Sequence, residues 1–124
     1  MFTLDTNIII GYLNGDEKIT SQLINWRDRK ISLFISVITK IEVLSYPKLK
    51  QEEIVKIKRF IQEFTAVPVD HQVGEIAAAI RRKIKTSIGD SLIIATAVLT
   101  HSSLATRDKE LIRKAKTFTA IKSI

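Results

Sequence analysis

Short apolar runs alternate with amphipathic segments along the chain, and this alternation restricts the fold more than any other feature of the sequence. The runs predicted to form strands are residues 1–5, 31–36, 65–70, 103–106 and 118–121. Pro68 places the third of these at the edge of a sheet or at a strand end, because proline cannot donate to a ladder. Strands that alternate with helices form a parallel sheet with helices on both faces. The sequence therefore predicts an α/β fold, a three-layer α/β/α sandwich around a parallel sheet of four to five strands.

Helical spacing of apolar residues predicts the segments that connect these strands. The predicted helices are residues 6–13, a helix around 19–26 that ends in the polar run 27–30, and residues 37–45, 51–64, 72–85, 90–99 and 108–116. In the helix over 37–45, we expect Ile38, Ile41 and Leu44 to share the buried side. The run 92–99 is apolar on nearly every side, which indicates a helix at the centre of the protein. A length of 124 residues fits a single domain spanning 1–124.

The chain carries a large excess of positive charge. It has 20 Lys and Arg against 13 Asp and Glu, for a formal net charge of +7. Such an excess on a small domain favours a polyanionic partner such as nucleic acid, although it also serves solubility. Aromatic residues make up only 6% of the chain, which argues against a stacking platform that binds single strands passively. One basic cluster lies at residues 81–85, and a second comprises Arg107, Lys109, Arg113, Lys114 and Lys116.

Several classes of protein are excluded by what the sequence lacks. Cysteine is absent, which excludes a disulfide framework, a thiolate zinc site and a cysteine nucleophile. The first residues lack the features of a signal peptide, and no apolar run reaches the roughly 18 residues of a membrane span. The four glycines are scattered and form no phosphate-binding loop. We therefore expect a cytoplasmic protein with no membrane association.

Four acidic residues lie among apolar residues at strand ends or in helices, where simple exposure to solvent does not explain the presence of a charge. Asp5 ends the first strand and Asp108 follows the strand over 103–106, so both are expected at the carboxyl edge of the sheet, where open α/β sheets bind ligands. Glu42 lies roughly one turn along the helix that follows the second strand. Asp90 opens the central helix. Each alone has a structural explanation as a helix cap, a turn residue or a solvated flank.

Together, the four acids predict a site for a divalent cation. If they were ionised side by side they would repel one another, so such a cluster persists only when cations neutralise it. Mg²⁺ and Mn²⁺ bind carboxylate oxygens and keep positions for water and for a phosphate oxygen. The basic residues would hold a phosphate backbone while the metal lowers the pKa of a bound water. The predicted reaction is hydrolysis of a phosphodiester bond.

Four motifs resemble, in order and approximate spacing, the acidic motifs of the PIN-domain nucleases. They are LDTN at 4–7, TKIEVL at 39–44, GDSLIIATA at 89–97 and ATRD at 105–108. In size the chain is most similar to the VapC-type toxins of prokaryotic toxin–antitoxin pairs. The resemblance implies a PIN-like fold and a Mg²⁺- or Mn²⁺-dependent endoribonuclease. It also implies three partners: an RNA substrate, a cognate antitoxin and a second copy of the chain in a homodimer.

The resemblance also implies roles for individual residues. Asp5 and Asp90 match direct metal ligands, and Asp108 matches a ligand that binds directly or through water. Glu42 is implied to orient or deprotonate the attacking water. The supporting residues are Asn7, Thr106 and Thr6, of which Thr6 or Asn7 is expected to cap the first helix. The residues expected to contact the RNA backbone are Arg81, Arg82, Lys83, Lys85 and Arg107.

Three other proteins with an α/β fold could carry acids at these positions. A receiver domain or an aspartyl phosphatase needs a second acid close to the first at the end of the first strand, where this chain has Asn7. The main alternative is a noncatalytic RNA-binding or protein-interaction module that retains the fold. A module that binds a polyanion gains nothing from four acids unless a metal sits among them, so the sequence favours the nuclease.

Overall fold

The computed structural model describes residues 1–124 as a parallel five-stranded sheet with seven helices, which confirms the predicted α/β fold. The strands are β1 (Phe2–Leu4), β2 (Leu33–Ser36), β3 (Thr65–Val67), β4 (Ser103–Thr106) and β5 (Ile121–Ser123). The helices are α1 (Thr6–Leu13), α2 (Glu17–Asp28), α3 (Val37–Leu44), α4 (Gln51–Ile61), α5 (His71–Lys83), α6 (Ile88–Thr100) and α7 (Lys109–Ala115). None of these helices has both the length and the apolar character needed to cross a membrane.

The strands lie in the order β3-β2-β1-β4-β5, and every neighbouring pair is parallel. The chain thus extends the sheet from β1 through β2 to β3, and then returns to the other side of β1 to add β4 and β5. As the sequence predicts from Pro68, β3 is an edge strand. The return creates a switch point between β1 and β4, where the connections leave the sheet in opposite directions. A switch point of this kind opens a crevice at the carboxyl ends of the two strands.

Two apolar clusters, one on each face, hold the helices to the sheet. The first joins β1 and β2 to α1, α2 and α4, and includes Ile8, Leu23 and Ile57. The second joins β4 to α5, α6 and α7, and includes Leu104 and Leu111. Helix α6 is the central element of the second cluster, since residues 91–97 are all buried. The all-round apolar run in the sequence therefore marks the most buried helix, as predicted.

The last strand begins later than the sequence predicts. The apolar pattern predicts a strand over 118–121, but β5 is Ile121–Ser123 and pairs with β4 through Leu104 and Ile121. The reason is the turn after α7, in which the amides of Phe118 and Thr119 both donate to the carbonyl of Ala115. The chain must complete this turn before it can reach the sheet, so Phe118 packs against the second apolar cluster instead of pairing.

The buried side predicted for helix α3 is confirmed only in part, since Ile38 and Leu44 are partly buried against the apolar clusters but Ile41 is not. The buried residues of α3 are Thr39 and Val43, whereas Ile41 is 54% exposed. The helix packs against α1, and the hydroxyl of Thr39 lies 3.0 Å from that of Thr6 in a buried hydrogen bond. This polar contact between helices sets the rotation of α3, and apolar spacing alone could not reveal it.

Candidate functional site

The structure brings all four of the singled-out carboxylates to one pocket of about 200 Å³ at the switch point. The acids that line it are Asp5, Glu42, Asp90 and Asp108, and its other polar residues are Thr6, Asn7 and Ser87. They come from four separate places: the ends of β1 and β4, helix α3 and the first turn of α6. The sheet order explains their meeting, because β1 and β4 are neighbours and their carboxyl ends coincide.

Asp5 is the most deeply buried of the four acids, with 4% of its surface exposed. It occupies the N-cap position of α1, but its side chain caps nothing and instead accepts a hydrogen bond from Thr106 at 2.8 Å. Burial raises the pKa of Asp5 to about 6, and repulsion from Asp90 and Asp108 raises it too, while the Thr106 hydrogen bond lowers it. At neutral pH, Asp5 is therefore an ionised group that its surroundings disfavour and that a cation would stabilise.

Thr106 is fully buried, and its one hydroxyl connects two of the acids. The hydroxyl donates to Asp5 Oδ2 and accepts a bond of 3.0 Å from the backbone N–H of Asp108. It therefore fixes the carboxylate at the end of β1 relative to the loop that follows β4. Thr106 positions the acids and does not itself line the pocket.

Replacing Thr106 with valine tests this positioning role. The change keeps the shape of the side chain but leaves Asp5 and the Asp108 N–H without a partner, so we expect a loss of about 1–3 kcal/mol in the free energy of unfolding. The pKa of Asp5 should also rise, because the donor that stabilises its ionised form is gone. Denaturant unfolding and an NMR titration of Asp5 measure the two effects. Thr106→Ser, which keeps the hydroxyl, is the matched control, and equal effects of both variants would refute the role.

Glu42 and Thr6 form a second linked pair at the pocket. The Thr6 hydroxyl donates to Glu42 Oε1 at 3.3 Å and also meets Thr39. The prediction that Thr6 or Asn7 caps α1 is wrong: Asp5 holds the N-cap position, and Thr6 is the first helical residue, buried by its contact with α3. Asn7 is exposed and lines the pocket. Glu42 is exposed. Its Oε1 accepts the hydrogen bond from Thr6, and its other carboxylate oxygen accepts none from the protein.

Asp108 combines the two roles that the sequence left open for it. It caps α7, since Oδ1 accepts from the backbone N–H groups of Glu110 at 3.0 Å and Leu111 at 3.3 Å. It also lines the pocket. The cap uses only one of the two carboxylate oxygens, so capping leaves Oδ2 available to a ligand.

Asp90 differs from the other three acids because its carboxylate accepts no hydrogen bond from the protein. It is the third residue of α6, whose N-cap is Ser87, and the Ser87 hydroxyl accepts from the Asp90 backbone N–H at 3.0 Å. The nearest cation is Lys114 of α7, whose Nζ lies 3.9 Å from Asp90 Oδ2. The sequence groups Lys114 with a basic cluster and does not predict its place beside Asp90. One feature of the sequence could have predicted this position. Lys114 lies three residues after the buried Leu111, a spacing that places it at the border of the buried face of α7.

The five basic residues predicted to contact RNA do not line the acidic pocket. Two of them bind within the protein. Arg81 donates from Nε to the carbonyl of Thr86 at 3.1 Å and so holds the loop before α6, and Arg107 forms an ion pair of 2.7 Å with Asp16. The remaining three are exposed around the end of α5: Arg82, Lys83 and Lys85.

The pocket suits a hard divalent cation in its donor chemistry. No three acidic or histidine side chains are close enough to form a complete ligand cluster on their own. Mg²⁺ does not need one, because it commonly binds through one or two carboxylates and completes its shell with water and substrate. Asp5, Asp90 and Asp108 each have an oxygen that receives no hydrogen bond from the protein. The residues therefore fit such an ion with bridging waters.

The family model of the PIN domain matches residues 2–117. The chain has no match among curated protein sequences. Among solved structures, it is similar to a toxin–antitoxin complex from Klebsiella pneumoniae, with 27% identity over 90% of each chain and a TM-score of 0.79. It is also similar to FitAcB from Neisseria gonorrhoeae, with 27% identity over 98% of this chain and 96% of that one and a TM-score of 0.73. VapBC2 from Rickettsia felis, bound to a DNA fragment from its promoter, shares the fold at 18% identity, with 99% and 98% coverage and a TM-score of 0.81.

Proposed function

This chain belongs to the PIN-domain family, and from that membership we propose that it is a Mg²⁺- or Mn²⁺-dependent endoribonuclease, the toxin of a type II toxin–antitoxin pair. Members of the family are nucleases and generally use divalent metal ions. The observation that carries the proposal is the meeting of four carboxylates from separate elements in one pocket of a basic protein. A noncatalytic module has no use for this arrangement, since it repels a polyanion unless cations are present.

The proposed roles follow from the position of each side chain. Asp5, Asp90 and Asp108 would hold the metal through their free oxygens. When bound, the metal supplies a bound water of lowered pKa and stabilises charge that develops on the phosphate. Glu42, exposed and held at one oxygen by Thr6, accepts a proton from the attacking water at its other oxygen. Thr106 fixes the position of the Asp5 carboxylate relative to the loop that carries Asp108.

The proposed partners are an antitoxin and a second copy of the chain. The similar Klebsiella structure is a toxin–antitoxin complex, which supports the first of these. An apolar groove between α1, α3 and α4 offers a surface for a protein partner, with Leu13 and Tyr46 exposed along it. We expect the product of a small gene encoded beside this one to copurify with the chain and to inhibit cleavage. A purified pair that cuts RNA as fast as the free chain would contradict the toxin assignment.

The experiment that tests the nuclease is cleavage of a mixed structured RNA by the purified protein with Mn²⁺ and with excess EDTA. We expect cutting with Mn²⁺ and none with EDTA, because the carboxylates act through the metal. Asp90→Asn is expected to lower the rate about a hundredfold or more, and Asp28→Asn, the same change at an exposed acid outside the pocket, should leave it unchanged.

Two results would contradict the nuclease proposal. Full activity in EDTA, or equal rates for Asp90→Asn and the parent, would rule out the metal site. RNA binding without any cleavage would favour the noncatalytic RNA-binding or protein-interaction module.

A further inference from the structure

The ammonium group of Lys114 is the one cation that forms an ion pair with an acid of the pocket. We infer that Lys114 is a substrate-contacting residue: it neutralises Asp90 while no divalent ion is bound, and it pairs with a phosphate of the RNA once the ion takes that carboxylate. The inference rests on the proposed function and deepens it, because it assigns the phosphate contact to a residue beside the acids.

The geometry indicates an exchangeable contact rather than a fixed bridge. The separation of 3.9 Å between Lys114 Nζ and Asp90 Oδ2 is too long for a hydrogen bond, so the attraction is electrostatic. The Lys114 side chain is only 21% exposed, so most of its stem lies against the protein, and its ammonium lies beside Asp90 although Lys114 does not itself line the pocket. A lysine on a flexible four-carbon stem can turn its ammonium to a new anion without moving the backbone.

The other basic residues nearby are directed elsewhere. Arg107 is bound to Asp16 at 2.7 Å, and Arg113 to Glu110 at 2.7 Å within α7. Lys109 and Lys116 are exposed and form no ion pair. Of the second basic cluster, Lys114 alone therefore lends its charge to the pocket.

The charges explain why the contact should switch. A divalent ion and an ammonium compete for the same carboxylate of Asp90, and the divalent ion gains more because of its higher charge. Once the ion is bound, it repels the ammonium, which can then pair with a phosphate that the ion attracts. The other carboxylate near Lys114, Glu110, is already paired with Arg113 at 2.7 Å. Lys114 thus opposes metal binding in the free protein and favours the phosphate in the complex.

Lys114 should therefore weaken Mn²⁺ binding and strengthen RNA binding. The variant Lys114→Met measures the effect on Mn²⁺ binding. Removing a positive charge beside Asp90 should tighten Mn²⁺ binding by about fivefold, the most that a loose, partly exposed pair is worth. Isothermal titration calorimetry of the full chain with Mn²⁺ gives the affinity. Lys116→Met, the same change at an exposed position of the same helix end, should leave the affinity unchanged, and Asp5→Asn shows that the ion measured is the one in the pocket.

The second effect is measured on RNA binding in a Glu42→Gln background, which keeps the metal ligands and stops cleavage. With Mn²⁺ present, adding Lys114→Met should weaken binding of the mixed structured RNA. It should also reduce the slope of log affinity against log salt by about 0.7 to 1, the value for one lost phosphate contact. Lys114→Arg keeps the charge, so it should restore both the RNA affinity and the slope against salt.

Each outcome decides one question. If Mn²⁺ affinity is unchanged or weaker in Lys114→Met, or if the salt slope does not change, Lys114 is only a structural tie between α7 and α6 and the inference is wrong. If the parent chain does not bind Mn²⁺ through Asp5, the proposed metal site fails, and the role of Lys114 fails with it. Tighter Mn²⁺ binding together with a smaller salt slope supports the inference.

Discussion

Replacing Asp5 with asparagine is expected to abolish RNA cleavage and, in the same protein, to stabilise the fold at neutral pH. Asn keeps an oxygen that accepts the Thr106 hydrogen bond, so the packing at the end of β1 is preserved. It removes the negative charge that the proposed metal needs, and we expect the rate to fall by about a hundredfold or more. It also removes a buried carboxylate whose ionisation costs free energy.

The sign and size of the stabilisation follow from the pKa. Folding raises the pKa of Asp5 from 3.8 to about 6, so the folded state binds the proton more tightly than the unfolded state. This group therefore favours folding most below its unfolded pKa, and the contribution is lost as the pH rises through about 6. Above that pH, the ionised group costs about 3 kcal/mol at most, because each tenfold change in proton affinity corresponds to about 1.4 kcal/mol.

Denaturant unfolding of the parent and of Asp5→Asn, without metal, measures this difference. We expect the variant to be more stable at about pH 7.5 and its advantage to shrink as the pH falls below about 6. Mn²⁺ should then raise the melting temperature of the parent and leave that of the variant unchanged, because only a ligand that binds the folded state stabilises it. A variant that is less stable than the parent at neutral pH would show that the Asp5 charge supports the fold and is not a cost of function.

Replacing Leu104 with alanine is expected to have the largest effect on the fold. Leu104 is fully buried in β4, where it packs in the second apolar cluster beside α6 and α7. Its truncation removes buried apolar surface and leaves a cavity between helices that cannot easily collapse, so the expected loss is about 3 kcal/mol within a usual range of 2–5. For a domain of this size, the melting temperature should fall by roughly 10 °C or more.

Thermal and denaturant unfolding check this prediction. The control is Ile88→Ala, since Ile88 is 61% exposed and its truncation should change stability by less than about 0.5 kcal/mol. A loss below about 1 kcal/mol in Leu104→Ala would mean that the second cluster tolerates the cavity and that α6 is not held in the way its burial indicates.

The sequence was most informative where a pattern is local. The strand over 103–106 has the same bounds in the structure, and the continuous apolar run predicted the central position of α6. Both signals are contained in a few neighbouring residues, which is why they are readable without the fold. The position of β3 at the edge was likewise indicated by one residue, Pro68.

The remainder depended on contacts between distant parts of the chain. The side that α3 buries is set by a hydroxyl contact between Thr39 and Thr6, 33 residues apart in sequence. The start of β5 is set by how far the turn after α7 carries the chain. At the pocket, the sequence indicated that Asp5 and Asp108 would meet if their strands were neighbours, which they are. It contains no measure of the distance between α7 and α6, and so did not place Lys114 beside Asp90.

The hydrogen bond between Thr106 and Asp5 joins residues 101 positions apart. During synthesis, β1 leaves the ribosome long before β4, which supplies both this bond and one of the two strands that pair with β1. Contacts of such long sequence separation form late in folding, because a long loop must close first. A nascent or prematurely terminated chain therefore lacks the completed pocket. The four acids can therefore come together only after β4 and the loop that follows it have been made.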